Sequence, residues 1–145
     1  MFIDPRGARF AAWITTVVLV AVLITGSGWL LAGQAAVFAV GALAGMRWSP
    51  YGLIFRYLVA PRLGRPTELE PAAPPRFAQA VGLLFAVLGA VGYLTGVTVL
   101  GAAASAAALA AAFLNAAFGF CLGCELYLIL RRALPANHTT KGVTA

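Results

Sequence analysis

The sequence predicts an all-α integral membrane protein with four transmembrane helices arranged as two hairpins. The composition is 62% hydrophobic and 10% charged, and the mean hydropathy of +0.93 lies far above that of soluble globular domains. Two uncharged runs, 10–46 and 77–124, are each long enough for two spanning helices of about 20 residues. Because these runs take up most of the 145 residues, we expect a single transmembrane domain over residues 1–134.

Turn-forming residues divide each run into a helical hairpin. Gly26, Ser27, Gly28 and Gly33 predict a turn in the first run, and the Gly and Thr residues of 95–101 predict one in the second. The predicted spans, with ends defined to within a few residues, are 10–29, 31–47, 77–95 and 100–122.

The basic residues predict the orientation of the chain. All ten lie before the first helix, between the second and third, or after the fourth. Because Lys and Arg bias short loops to the cytoplasmic side, we expect both termini and the central loop in the cytoplasm, in a multi-pass protein of the plasma membrane. Basic charge spread along a membrane edge predicts contact with the lipid bilayer and no nucleic-acid binding. The polar tail 135–145 is expected to be disordered.

The central loop begins with a helix signal. Ser49 can cap a helix and Pro50 suits its first position. Four apolar residues then recur at helical spacing: Tyr51, Ile54, Phe55 and Leu58. We expect a short interfacial helix on the inner leaflet, with extension of the second helix or packing against the bundle as equal alternatives. Pro75 is placed to begin the third helix, and the preceding stretch 62–74 is either a docking site or a solvated linker.

Small residues at regular spacing predict close helix packing. The pattern G-x-x-x-G occurs at Gly41–Gly45, Gly92–Gly96 and Gly119–Gly123. In lipid, such residues let helix backbones approach, so we expect a tight bundle, with a homo-oligomer interface as the alternative. Asn115 is interpreted as the most polar side chain within a span. It is expected to hydrogen-bond to a neighbouring helix, with an interior functional site as the lesser alternative.

Both cysteines lie at the predicted end of the fourth helix. On a regular helix Cys121 and Cys124 share a face, with about 5 Å between Cα atoms, and Glu125 lies on that face too. Inert packed thiols, a thiol-disulfide or sulfur-handling pair, and a metal site all stay open. A reducing cytoplasm disfavours a lasting structural disulfide and favours a working pair. A metal site is the weakest alternative because His138, the one histidine, lies in the polar tail, and no cofactor is indicated.

The predicted position does not favour a reactive thiol. The C-terminal end of a helix and the neighbouring carboxylate of Glu125 both disfavour a thiolate. Unwinding at Gly119 or Gly123 would expose backbone N–H groups and reverse this effect. A nearby guanidinium would also help, and the sequence offers four candidates: Arg47, Arg56, Arg131 and Arg132.

Four stretches carry a family resemblance: D-P-R at 4–6, S-P-Y-G at 49–52, P-P-R-F-A-Q at 74–79 and F-G-F-C-L-G-C-E-L-Y at 118–127. With them the chain resembles, over residues 3–132, an actinobacterial family of four-helix membrane proteins called domain of unknown function 4395. The family has no established activity, and its members look like frequent genomic neighbours of thioredoxin-like and rhodanese-like sulfurtransferase proteins. The resemblance therefore implies thiol or sulfane-sulfur handling. It makes Cys121 and Cys124 the exchanging pair and Glu125 a proton acceptor.

We weigh three functional hypotheses, and the sequence does not decide whether the protein is an enzyme. The leading one is a cytoplasm-facing membrane thiol protein that exchanges electrons or sulfane sulfur with a soluble thioredoxin-like or rhodanese-like partner. The second is a non-catalytic membrane scaffold or assembly subunit with structural cysteines. The third is an oligomeric channel or carrier for a small sulfur species, because four short helices enclose a pathway only as an oligomer.

Overall fold

The computed structural model describes residues 2–45, 48–65, 69–71 and 73–133. Arg47, His138 and the predicted disordered tail 135–145 lie outside the described residues. Within these ranges the chain is helical except for its turns and two short strands. Strands β1 (Phe2–Ile3) and β2 (Glu70–Pro71) have two residues each and pair antiparallel.

The first hairpin consists of α1 (Pro5–Thr25) and α2 (Gly28–Leu43). Helix α1 begins earlier than predicted because Asp4 caps it. The Asp4 carboxylate accepts a hydrogen bond from the backbone N–H of Arg6 at 2.9 Å, and a proline occupies the first helical position. The same carboxylate forms an ion pair with the Arg6 guanidinium at 2.8 Å.

The turn between α1 and α2 uses the predicted glycine and serine. Gly26 ends α1 in the left-handed conformation, with φ 64°. Ser27 then begins α2, and its Oγ accepts a hydrogen bond from the backbone N–H of Leu30 at 3.1 Å. The predicted turn at 26–28 is therefore confirmed, whereas Gly33 lies inside α2.

The second hairpin consists of α5 (Ala73–Thr95) and α6 (Thr98–Phe118). Prolines set the start of α5. In the first turn of a helix a backbone N–H has no intrahelical partner, so a proline, which has no N–H, loses no hydrogen bond there. Gly96, with φ 90°, connects the two helices. The described α6 ends four residues before the end of the predicted span 100–122.

Each helix of the first hairpin packs against a helix of the second. Helix α2 packs mainly against α5, and α1 packs mainly against α6, whereas α1 and α2 contact each other little. The approach is close because small residues lie at the crossings: a Cβ added at Gly92 would lie 2.7 Å from the backbone nitrogen of Gly101, and one at Gly82 would lie 2.9 Å from the Phe38 ring. A buried cluster fills the bundle between the helices and includes Leu19, Val22, Leu31, Ala86 and Ala90.

Three of these helices, α1, α5 and α6, are long and apolar enough to cross a membrane. Helix α2 is apolar but has 16 residues. The bundle has two unlike ends. The end at which α1 and α5 begin and α2 and α6 finish is called here the arginine end, and the end with the Gly26 and Gly96 turns is called the turn end.

Two arginines cap helices at the arginine end. The Arg9 guanidinium donates to the carbonyl of Ala116, near the C-terminus of α6, at 3.0 Å. The Arg76 guanidinium donates to the carbonyls of Ala42 and Leu43, in the last turn of α2, at 3.0 and 2.8 Å. Each cation thus satisfies carbonyl groups that have no intrahelical partner and opposes the negative end of a helix dipole.

The central segment is helical, as predicted, and packs against the bundle. It comprises α3 (Pro50–Ile54), a π-helical segment (Phe55–Val59) and α4 (Ala60–Leu63). Ser49 caps α3 by accepting from the backbone N–H of Gly52 at 3.1 Å, which confirms the predicted cap. The buried Phe55 ring lies on α1, where a Cβ added at Gly7 would be 3.2 Å from it.

A buried glutamine connects this segment to α2. The Tyr51 hydroxyl donates to Oε1 of Gln34 at 2.6 Å, and Gln34 is only 2% exposed. No hydrogen-bond partner for Gln34 Nε2 lies among the described residues. The interpretation of Asn115 as the most polar side chain within a span therefore overlooked Gln34, which lies inside the predicted span 31–47.

The G-x-x-x-G motifs combine packing with helix termination. In each motif a Cβ added to one glycine would come within 2.7 Å of a neighbouring helix, while the other glycine has a positive φ. The packing glycines are Gly41, Gly92 and Gly123, and those with positive φ are Gly45, Gly96 and Gly119. Contacts within one chain therefore account for all three motifs.

Candidate functional site

The chain breaks its helix immediately before the cysteine pair. Gly119 has φ 70° and ends α6, and its N–H donates to the carbonyl of Asn115 at 3.0 Å. A new helix, α7 (Leu122–Ala133), then begins. Of the two glycines at which unwinding would favour a thiolate, Gly119 is the one that interrupts the helix.

Cys121 occupies the capping position of α7. Its carbonyl accepts the backbone N–H of Glu125 at 3.0 Å, and its Sγ accepts the backbone N–H of Cys124 at 3.1 Å. Serine or threonine oxygen usually performs this function at the start of a helix. The two cysteines form a disulfide with 5.1 Å between their Cα atoms, and both are half-buried.

The prediction that the pair lies at a helix C-terminus is therefore wrong. The pair begins a helix because the left-handed turn at Gly119 separates it from α6. This reverses the electrostatic argument, since unpaired N–H groups and the positive end of the helix dipole favour negative charge. When the disulfide is reduced, the N–H of Cys124 and the start of α7 favour a thiolate at Cys121.

Helix α7 packs against α5 through small and aromatic residues. A Cβ added at Gly123 would lie 2.5 Å from the Cβ of Ala78. The rings of Phe77 and Tyr127 also meet, with their centroids 5.6 Å apart. Gly123 and Tyr127 therefore hold α7 against α5, and Cys121 begins the helix.

Both cysteines line a cleft that enters the bundle from the arginine end. Its volume is about 690 Å³, which is within the usual range for small-molecule sites. Helices α1, α5 and α6 form its walls, Phe38 of α2 is also in the lining, and α7 contributes the disulfide. Asp4 and Arg6 belong to the lining at the mouth, where their ion pair is partly exposed.

The polar side chains that line the cleft include one from each of three helices. Asn115 comes from α6, Gln79 from α5 and Arg9 from α1. The predicted interhelical hydrogen bond of Asn115 is not seen within the described ranges, and its position in the cleft agrees with the lesser alternative, an interior site.

Sequence reasoning missed Gln79 and Arg9 as members of this site. Gln79 could have been found as a polar side chain inside the predicted span 77–95. Arg9 directly precedes the first uncharged run, a position that allows it to reach inward from the membrane edge. Its guanidinium lies beside Gly119, where an added Cβ would be 3.9 Å from the guanidinium carbon.

The other charged candidates lie elsewhere. Glu125 is exposed and is not part of the cleft lining, so its role as a proton acceptor stays a prediction. The Arg131 guanidinium lies over the Tyr127 ring at 5.8 Å, and the Arg56 guanidinium lies over the Trp48 ring at 5.1 Å. Among the described residues, no group of three or more His, Cys, Asp or Glu side chains could hold a metal ion.

The chain belongs to the family described as Domain of unknown function (DUF4395), whose model matches residues 3–132. Curated proteins and solved structures contain no match to it.

Proposed function

We propose that this DUF4395 protein is a membrane thiol protein that exchanges electrons or sulfane sulfur with a soluble thioredoxin-like or rhodanese-like partner. The observation that carries the proposal is the position of Cys121, whose sulfur belongs to a disulfide, caps α7 and lines a cleft. A structural disulfide does not require a helix-capping position or a cleft wall, whereas a reactive cysteine benefits from both.

The exchange proceeds through a mixed disulfide. A thiolate of the partner attacks one sulfur of the Cys121–Cys124 disulfide, and the other sulfur leaves as a thiolate. The second thiol of the partner then attacks the mixed disulfide. The partner leaves oxidised, and the pair has gained two electrons and two protons. In the sulfur-transfer version, reduced Cys121 attacks the outer sulfur of a partner persulfide and releases the partner thiol.

Two details assign roles to Cys121 and Glu125. Cys121 receives the N–H of Cys124, so it is the better leaving group and the better nucleophile at neutral pH. Glu125 follows the pair and is exposed, so its carboxylate can take a proton on the solvent side.

The alternative, a scaffold with structural cysteines, is less well supported. A disulfide stabilises most when it closes a long loop, and this one joins residues three positions apart within one helical turn. It connects no two separate elements, and α7 is already held by its contacts with α5. The buried cluster fills the bundle beyond the cleft, so the channel hypothesis still requires an oligomer, as it did from the sequence.

We further propose that α1, α2, α5 and α6 all span the plasma membrane, with both termini and the central loop in the cytoplasm. The arrangement of charge supports this topology, because Arg9 and Arg76 lie at one end, where the chain also begins α1 and α5. The loops at the turn end carry no charged residue. The cysteine pair lies at the arginine end and would therefore meet cytoplasmic partners.

The test is alkylation of the cysteines in inside-out membrane vesicles, using a membrane-impermeant maleimide with a mass readout across pH. Cys121→Ser and Cys124→Ser each leave one thiol, and we expect the thiol of Cys121 to react at least tenfold faster near neutral pH than that of Cys124. Before reduction the wild-type protein should resist labelling, and reduced thioredoxin should remove that resistance. Uniformly slow labelling of both single-cysteine variants, together with no reduction by thioredoxin, would overturn the proposal and favour the scaffold.

A further inference from the structure

We infer that the cleft binds the ring of a lipid-soluble quinone, which accepts electrons from the reduced Cys121–Cys124 pair. This inference rests on the proposed thiol function and supplies its second redox partner. A pair that takes electrons from a soluble partner must pass them on before it can react again, and quinones are two-electron carriers dissolved in the bilayer.

The shape of the cleft fits a flat ring. Before Asn115, the lining residues of α6 are four alanines, so this part of the wall carries no side chain longer than a methyl group: Ala107, Ala108, Ala111 and Ala112. Phe38 and Phe85 contribute aromatic surface to the lining. Aromatic and methyl surfaces favour an apolar, planar ligand over a hydrated one. A volume of about 690 Å³ leaves room for the ring and the first part of its tail.

The polar groups of the cleft can serve a ligand that only accepts hydrogen bonds. The amides of Asn115 and Gln79 and the guanidinium of Arg9 all carry N–H donors and line the same cleft. Among the described residues Asp4 is the only acidic one in the lining, and it is neutralised by Arg6 at the mouth. Quinone carbonyls accept hydrogen bonds, and a nearby cation favours the negative charge that their oxygens develop during reduction.

The redox group lies in the wall of the same cleft. Both cysteines are lining residues of the cleft that would hold the ring. In the step proposed here, the two thiols of the reduced pair lose two electrons and two protons, and a sulfur–sulfur bond forms. The quinone gains those electrons and protons and leaves as the quinol. With the mixed-disulfide step, the sum is oxidation of a partner dithiol by quinone.

The experiment uses the full chain in lipid nanodiscs, reduced and then freed of reductant under anaerobic conditions. The probe is decylubiquinone, because its ring is fully substituted and cannot add a thiol covalently. Quinone absorbance and thiol mass are followed together, and thioredoxin-driven exchange is measured on the same preparations. We expect one quinone reduced for each disulfide formed in the wild-type protein, and no reaction in Cys121→Ser.

Two variants on adjacent positions of α6 test the site. Ala111→Leu projects into the cleft and should raise the KM for decylubiquinone at least tenfold. Ala110→Leu is the matched control, because Ala110 is exposed and outside the lining, and it should behave as the wild type. Asn115→Leu keeps the side-chain size and removes the donors, so it should raise the KM about fivefold, the value of one hydrogen bond of about 1 kcal/mol.

The outcomes separate this inference from the proposed function. Exchange with thioredoxin but no oxidation by decylubiquinone would overturn the quinone site and leave the thiol function intact. Equal KM values for Ala111→Leu and Ala110→Leu would also overturn the quinone site, since oxidation would then occur outside the cleft. Failure of thioredoxin exchange together with failure of quinone oxidation would overturn both.

Discussion

The chain ends two helices in the same way at opposite ends of the bundle. Helices α1 and α6 both have 21 residues and finish at a glycine in the left-handed conformation, Gly26 with φ 64° and Gly119 with φ 70°. In each case a side chain then caps the following helix. Ser27 Oγ and Cys121 Sγ each accept the N–H three residues ahead, both at 3.1 Å.

The difference between the two turns lies in the capping atom and its surroundings. At the turn end an oxygen caps α2, and Gly28 packs so closely that an added Cβ would lie 2.8 Å from the Leu94 side chain. At the arginine end a sulfur caps α7 beside an open cleft and the Arg9 guanidinium. The same local arrangement thus serves packing at one end, and at the other it supplies the sulfur atom of the proposed redox pair.

The largest expected effect comes from comparing a thiol at the turn end with the thiols at the arginine end. Ser27→Cys, made together with Cys121→Ser and Cys124→Ser, puts the only thiol at the turn end. In the proposed topology an impermeant maleimide should label this variant only in right-side-out vesicles. The reduced wild-type protein should be labelled only in inside-out vesicles. We expect at least a tenfold ratio between the two faces for each protein, measured by mass spectrometry.

A control in detergent supports the interpretation of this result. Detergent-solubilised samples should be labelled regardless of the original vesicle orientation, which shows that each thiol is reactive. Labelling of both proteins from the same face would contradict the hairpin topology and with it the cytoplasmic position of the cysteine pair.

A second prediction compares the two glycines. Gly26→Ala and Gly119→Ala each force a Cβ into the left-handed region, at a cost of about 1–2 kcal/mol, because their φ values are nearly equal. Unfolding in detergent should therefore show similar losses. Only Gly119→Ala should slow alkylation of Cys121, since it favours continuation of α6 through the residue that caps α7.

The matched losses of stability serve as the internal control for this comparison. Equal slowing of Cys121 alkylation in both variants would contradict the assigned function of the Gly119 turn, because it would attribute the change to general loosening of the bundle.

The smallest effect concerns the mouth of the cleft and its dependence on pH. The hydrogen bond from the Arg6 side chain holds the pKa of Asp4 below its ordinary value of 3.8. A carboxyl group with a lowered pKa stabilises the fold above its ordinary pKa, and this contribution is lost as the pH falls through the lowered value. Asp4→Asn keeps a cap and removes the charge, so it should cost less than about 1 kcal/mol at neutral pH.

This difference should disappear in acid. Thermal unfolding of the wild type and Asp4→Asn should converge as the pH falls below the lowered pKa of Asp4, since both side chains are then neutral. If the difference in thermal stability between the two proteins does not change with pH, the ion pair with Arg6 contributes nothing to the stability of the fold.

Local signals in the sequence predict the helix starts well. Ser49 and Pro50 indicate a cap and a first helical position, and the structure confirms both. The turn at Gly26 and Ser27 is also predictable, because glycine and a capping serine occur together between apolar runs.

The helix break before the cysteines is not predicted by the sequence, for a physical reason. Residues on both sides of Gly119 are apolar, so hydropathy does not change across the break. A cysteine in the capping position is also not a recognised start signal, because serine, threonine, aspartate and asparagine usually occupy it. The cleft could not be predicted either, since Arg9, Gln79 and Asn115 meet only through tertiary packing.

The Arg76 cap on α2 has a consequence for the surrounding membrane. Helix α2 has 16 residues and is about 24 Å long, whereas a typical hydrocarbon core is about 30 Å thick. If α2 spans the membrane, the bilayer must thin beside it, and Arg76 places a cation at the depth where the helix ends. Lipid phosphates drawn inward to this cation would lower the cost of the mismatch, and the protein would favour thin membranes over thick ones.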